Sequence, residues 1–138
     1  MATGTVGVIG GSIGIIYPPE NRALFHQIVD EGSLLAEMRP RTAPTPRHFP
    51  TRNRIIVSLA LGVVLIEATA KSGSLITARE AGERSSEVMA IARSPLDPKS
   101  NGCTQLARDG ATLVQNATDI TETVGQRRSE EVPPKKTI

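Results

Sequence analysis

Five arginines (Arg39, Arg41, Arg47, Arg52 and Arg54) stand between residues 39 and 54 with no acidic residue among them. That much charge of one sign reads as an anion-binding surface, because a solvated loop ordinarily intersperses Asp or Glu. The segment ends in Phe49-Pro50-Thr51-Arg52-Asn53-Arg54, which sets two guanidiniums at the expected start of a helix. There they oppose the helix dipole unless an anion occupies that end. Arginines two apart point in different directions on a helix, so Arg52 and Arg54 would straddle a phosphate backbone rather than grip one phosphate. Phe49 beside them offers a face on which a base could stack. The alternative keeps Phe49 as a hydrophobic staple and pairs the arginines with Glu37 or Glu67.

A second anion-binding pattern is Ser72-Gly73-Ser74-Leu75-Ile76-Thr77. Small residues let a backbone approach an anion, the helix start supplies partial positive charge, and Ser72, Ser74 and Thr77 supply hydroxyls. An ordinary cap by Ser72 or Ser74 explains the same residues equally well. The segment lacks the Gly-Lys-Ser/Thr of a phosphate-binding loop. Gly10-Gly11-Ser12-Ile13-Gly14 does not fit G-x-G-x-x-G, so a plain turn is the better reading and no dinucleotide cofactor is expected. Acid–base groups are sparse. Glu67 follows an apolar strand, where catalytic carboxylates occur, but one carboxylate makes no mechanism, and buried pairing with an arginine is the simpler expectation. Cys103, His26 and His48 are too few for a metal site, and a single cysteine forms no internal disulfide framework.

These residues need a scaffold, and the rest of the sequence describes one. At 138 residues, 38% apolar and 22% charged, the chain has the length and composition of one folded domain with an aliphatic core, since Trp is absent and aromatics number three. Strands are expected at Thr5–Ile9, Ser33–Glu37, Gly62–Glu67, Glu87–Ile91 and Thr112–Gln115. Helices are expected after Pro18-Pro19 (with Leu24, Phe25, Ile28 and Val29 facing inward) and over Arg52–Ala60 (with Ile55, Ile56 and Leu59 inward). Further helices are expected over Ser74–Gly82, Asn101–Asp109 and Asp119–Val124, the last with an Asp-x-x-Glu capping box. Residues 39–50, with four prolines, read as an extended loop. Strand alternating with helix predicts an α/β fold with a parallel sheet covered by helices on both faces, and the apolar Gly62–Glu67 strand near its centre. Residues 125–138 read as a disordered tail. The longest apolar run, Leu59–Ile66, has eight residues, too short to span a membrane, and no basic region precedes the N-terminal apolar run, so a cytoplasmic location is expected.

Several segments occur together in one order: YPPEN (17–21), FPTRNRII (49–56), the 61–67 strand, SGSLITAR (72–79), SPLDP (94–98) and DGATLV (109–114). Over roughly residues 4–124 the sequence resembles the DNA-processing family called DprA or Smf. That resemblance implies an extended Rossmann-like domain that binds single-stranded DNA, dimerises and helps load RecA during natural transformation, without being an enzyme. It implies a partial, truncated version of the family domain over 1–124. The family's upstream Gly-Ser-Arg motif and the winged-helix-like domain of many members are not in this sequence. Ala92-Arg93 stands where the family usually has Pro-Gly, and Ser85-Ser86 where it has a glycine cap.

Joined to the residue patterns, the resemblance makes Arg47, Phe49, Arg52, Asn53, Arg54, Ser72, Gly73, Ser74 and Thr77 the expected DNA contacts. Cys103, Leu106 and Ala107 become the expected dimer contacts, against the alternative that Leu106 simply covers the sheet. Two other readings stand beside this one. A nucleotide-processing, phosphoribohydrolase-like enzyme would use Glu67 and the 72–77 segment, although the glycine-rich phosphate loop of such enzymes is missing. A truncated remnant would have no function of its own.

Overall fold

In the computed structural model, which describes residues 4–131, the apolar runs form five parallel-paired strands joined by helices. By contact density the chain divides between Ile56 and Val57 into two compact units. The first holds β1 (Val6–Ile9), α1 (Arg22–Glu31) and β2 (Ser33–Ala36). β1 and β2 pair in parallel, with Val6 opposite Ser33 and Ile9 opposite Ala36, and α1 is the crossover that a parallel pair requires. Helix α2 (His48–Leu59) carries the chain over the division.

The second unit holds β3 (Gly62–Leu65), α3 (Gly73–Glu83), β4 (Glu87–Ile91), α4 (Asn101–Arg108), β5 (Thr112–Val114) and α5 (Ala117–Glu131). Its sheet is parallel in the order β3-β4-β5. Leu65, Ala68, Leu75, Ala78, Ala90, Cys103 and Leu106 form its aliphatic core. This is the α/β architecture of parallel strands and helical crossovers expected from the sequence.

The details depart from expectation in five places. The strands pair as two sheets, and β4 rather than β3 is the central strand of its sheet. The charged start of β4 masked its position. Glu87 sits at the strand's edge, where it accepts from Thr112 Oγ1 and pairs with Arg127, while Met89 and Ala90 beyond it are fully buried. Second, α2 begins at His48 and not at Arg52. Proline is tolerated in a first turn, where its missing N–H has no helical partner to lose, so Pro50 belongs to the helix.

Third, the inward faces are narrower than the periodicity suggests. Leu24 and Val29 are half exposed, only Phe25 and Ile28 of α1 being partly buried, and in α2 Val57 is buried while Leu59 is exposed. Fourth, α5 is capped one turn earlier than expected. Asn116 Oδ1 accepts from the Asp119 N–H and Asp119 Oδ2 from the Gln115 N–H, a reciprocal pair that replaces the Asp119–Glu122 box. Fifth, α5 runs to Glu131, so residues 125–131 of the expected tail are helical, with Arg127 tied to Glu87 at 3.3 Å. Residues 132–138 of that tail lie outside the described residues.

Candidate nucleic-acid interface

The first group of expected contacts is built on the start of α2. The Thr45 N–H donates to His48 Nδ1 at 3.2 Å, the His48 N–H donates to the Thr45 carbonyl, and Thr51 Oγ1 donates to the Arg47 carbonyl. These local bonds fix where the helix starts, and so aim Phe49. The Phe49 ring lies against Gly10, where a Cβ would come within 3.2 Å of two ring carbons, so the glycine is what allows the approach. The neighbouring turn is packing of the same kind: Gly11 faces Pro44, and the Ser12 N–H donates to the Thr42 carbonyl. The Gly10–Gly14 segment is thus a turn that receives the 42–49 stretch.

Arg52 is the pivot of the group. Its guanidinium carbon sits 5.7 Å from the Phe49 ring centroid, its NH1 donates to the Val8 carbonyl at 2.7 Å, and its Nε donates to Asn53 Oδ1 at 3.0 Å. The ring quadrupole and the two acceptors hold the guanidinium in one place. Burial lowers the Arg52 pKa, but a guanidinium stays charged at neutral pH. Tyr17, absent from the sequence-based set, stands 6.4 Å from Phe49 at a 43° tilt. In the sequence it is one of three aromatics and stands in the YPPEN segment, but nothing there ties it to Phe49. Asn53 orients Arg52. Arg54 forms an ion pair with Glu37, which is the pairing the alternative reading named. Arg47 is exposed and has no ion pair among the described residues.

The second group lies in the other unit. Ser72 is the residue before α3, extended at φ −69° and ψ 139°, and its side chain does not cap the helix. Its hydroxyl instead lies 3.4 Å from Ser74 Oγ. Gly73 and Ser74 are exposed, with open space where a Gly73 Cβ would stand. The Leu75 N–H donates to the Ser72 carbonyl at 3.1 Å, and without a side-chain cap the N–H groups of Gly73 and Ser74 are left to water or an anion. Thr77 is half-buried within the helix.

Glu67 is paired, as expected, but at the surface. Arg93 NH1 lies at 2.9 Å and Lys99 Nζ at 3.7 Å from its oxygens, and Arg93 also reaches Asp97 at 3.2 Å. Cys103 and Leu106, expected at a dimer interface, are 2% and 3% exposed and lie in the core of the second unit. They pack inward because Gly102 admits α4 close to the main chain after β3. A Cβ there would stand 2.7 Å from the Ala68 Cβ, and the Gly102 N–H donates to the Ala68 carbonyl at 2.8 Å. Only Ala107 of the three keeps partial exposure. The Cys103 thiol lies 3.5 Å from the Leu65 carbonyl and 3.6 Å from that of Ile66, and burial pushes its pKa up.

A sequence profile for DNA recombination-mediator protein A matches residues 1–125. The chain belongs to that family. It is 42% identical over 130 residues to the DNA processing protein DprA of Bacillus subtilis, covering 94% of this chain and 44% of that protein. It superposes on the X-ray structure of DprA from Streptococcus pneumoniae with a TM-score of 0.77 at 41% identity, covering 85% of this chain and 41% of that one. A DprA structure from Helicobacter pylori, reported for its single-stranded DNA binding mode, gives a TM-score of 0.79 at 25% identity, covering 88% and 56%. The chain thus spans less than half the length of the DprA proteins from B. subtilis and S. pneumoniae. Among the described residues no helix is long and apolar enough to cross a membrane, and no cluster of side chains could hold a metal ion.

Proposed function

We propose that this chain binds single-stranded DNA, with Phe49 against a base and Arg47 and Arg52 on the sugar-phosphate backbone, and that the start of α3 supplies a further phosphate contact. The observation that carries the reading is the Phe49–Arg52 stack, a ring and a guanidinium held together by the Val8 carbonyl and Asn53. Groups fixed before binding lose little freedom on binding. A stacking face beside a positive charge is the sequence-tolerant arrangement of single-strand binders. The family kinship supports the same reading, and extends it to a place in DNA uptake beside RecA, a soluble cytoplasmic setting and a homodimer. Leu106 and Cys103 lie in the core of the second unit, so the proposed dimer is not rested on them. The reading is of a binding protein rather than an enzyme, and the pairing of Glu67 with Arg93 and Lys99 gives a hydrolytic role no support.

The test is a titration of labelled oligo-dT against duplex at two salt concentrations. Single-strand preference is expected, with Phe49→Leu weakening binding by about 1–3 kcal/mol as a stacked base is lost. Arg47→Ala should make the salt slope shallower by about 0.7, the amount one single-strand phosphate contact contributes. Equal or tighter binding of duplex, or a Phe49→Leu variant that binds like the parent, overturns the reading.

A further inference from the structure

The chain has three aromatic side chains, Tyr17, Phe25 and Phe49. Phe25 is partly buried on α1. The other two are distant in sequence and meet in the folded first unit, with ring centroids 6.4 Å apart and ring planes tilted by 43°. Tyr17 is 60% exposed, so most of its surface is left in water. Its main chain is nevertheless held on both sides. The Ile15 N–H donates to the Ser12 carbonyl at 3.1 Å and closes the turn before it, and the Asn21 N–H donates to the Pro18 carbonyl at 3.1 Å and closes the turn after it. Phe49 is fixed in its own way, by Gly10 along the Cδ1–Cε1 edge and by the Arg52 guanidinium 5.7 Å from its centroid. The tilt between the two rings is therefore a property of the fold.

Two rings held at 43° cannot both be covered by a stacked pair of bases. Neighbouring bases in a stacked strand lie parallel, about 3.4 Å apart, so a pair lying flat on one ring meets the other at an angle. Bases splayed apart can take one ring each, and only a strand free to unstack adopts that shape. We infer that Tyr17 is a second stacking residue, and that two successive bases lie on Phe49 and Tyr17. The tilt then selects strands whose bases come apart easily: pyrimidine runs before adenine runs, and both before duplex. Phe49 as a base-stacking face is the reading proposed above, and the role of Tyr17 rests on it.

Tyr17 is the only tyrosine and the chain has no tryptophan, so its intrinsic fluorescence reports on this one ring. The full chain is titrated with oligo-dT, oligo-dA and duplex of equal length, with free tyrosine amide as the correction for absorption by DNA. Quenching of Tyr17 that saturates with oligo-dT binding is expected. Tyr17→Leu should weaken oligo-dT binding about tenfold, as one stacked base is lost, and narrow the preference for oligo-dT over oligo-dA. Its salt slope should stay at the parent's value, because the ring carries no charge. Tyr17→Phe, which keeps the ring face, should bind as the parent does. Binding that leaves Tyr17 fluorescence undisturbed, or a Tyr17→Leu variant that binds like the parent, overturns the role of Tyr17; if Phe49→Leu still weakens binding, the proposed function stands. A tenfold loss in Tyr17→Leu with the parent's ratio of oligo-dT to oligo-dA overturns the selection by tilt. Quenching at Tyr17 with Phe49→Leu binding like the parent overturns the Phe49 reading and the paired-ring inference with it.

Discussion

At the scale of single residues, the proposed interface depends on contacts no side-chain pattern announces. Gly10 is one. In Gly10→Ala the new methyl would push the Phe49 ring by some tenths of an ångström, an overpacking cost of about 1 kcal/mol, read from the urea midpoint. The same variant should bind oligo-dT more weakly, because the ring no longer meets Arg52 where it did. Cys103 gives an independent check. Its buried thiol should resist a thiol reagent in the native protein and react once urea unfolds the chain. Because the folded state raises its pKa, ionisation favours the unfolded chain, so stability should fall as pH rises past about 8.5, the ordinary thiol value. Native labelling at full stoichiometry would show that the α4 side of the core is open. The sequence placed Arg52 and Phe49 together, since they stand three residues apart in one segment. It could not place the Val8 carbonyl, because every residue carries one, nor Tyr17, which only the folded chain brings to Phe49.

Elements were legible where their signals are local. The helix over 101–108 and the strand over 87–91 fall close to where the sequence puts them, since α4 buries Gly102, Cys103 and Leu106 on one face and β4 is a short apolar run after Glu87. The start of α2 was not, because Pro50 in a first turn looks the same in sequence as Pro50 in a loop. The end of α3 shows a local rule broken. Ser85 adopts φ 60°, in the left-handed region, so that the Ser86 N–H can donate to the Ala81 carbonyl at 2.9 Å and close the helix. A residue with a Cβ is held there at a cost of about 1 kcal/mol. Ser85→Gly should recover about that amount, seen as a higher urea midpoint with unchanged helix content by circular dichroism. A lower midpoint would mean the serine side chain makes a stabilising contact that outweighs the backbone strain.

Across the whole molecule, burial is uneven. Among the described residues, Val8 is the buried hydrophobic residue of the first unit, while the second holds Leu65, Leu75, Met89, Leu106, Val114 and several alanines. Leu24 and Val29, which the periodicity turns inward, are exposed in that first unit, as are Val6 and Leu35 of its strands. Amides of β1 and β2 should therefore exchange with deuterium faster than those of β3, β4 and β5, because opening them uncovers less apolar surface. Equal protection in both sheets would contradict the burial pattern. Periodicity could identify amphipathic segments but not how much apolar surface each unit has to cover them, which is why the faces of α1 were read too broadly. The Arg52–Val8 bond has a mechanical consequence for such a molecule. Tension on a strand held at Phe49 and Arg52 would pass through a 2.7 Å hydrogen bond into the main chain of β1, not along a side chain swinging on its tether. Such an attachment would be stiff, with the slack left to the DNA.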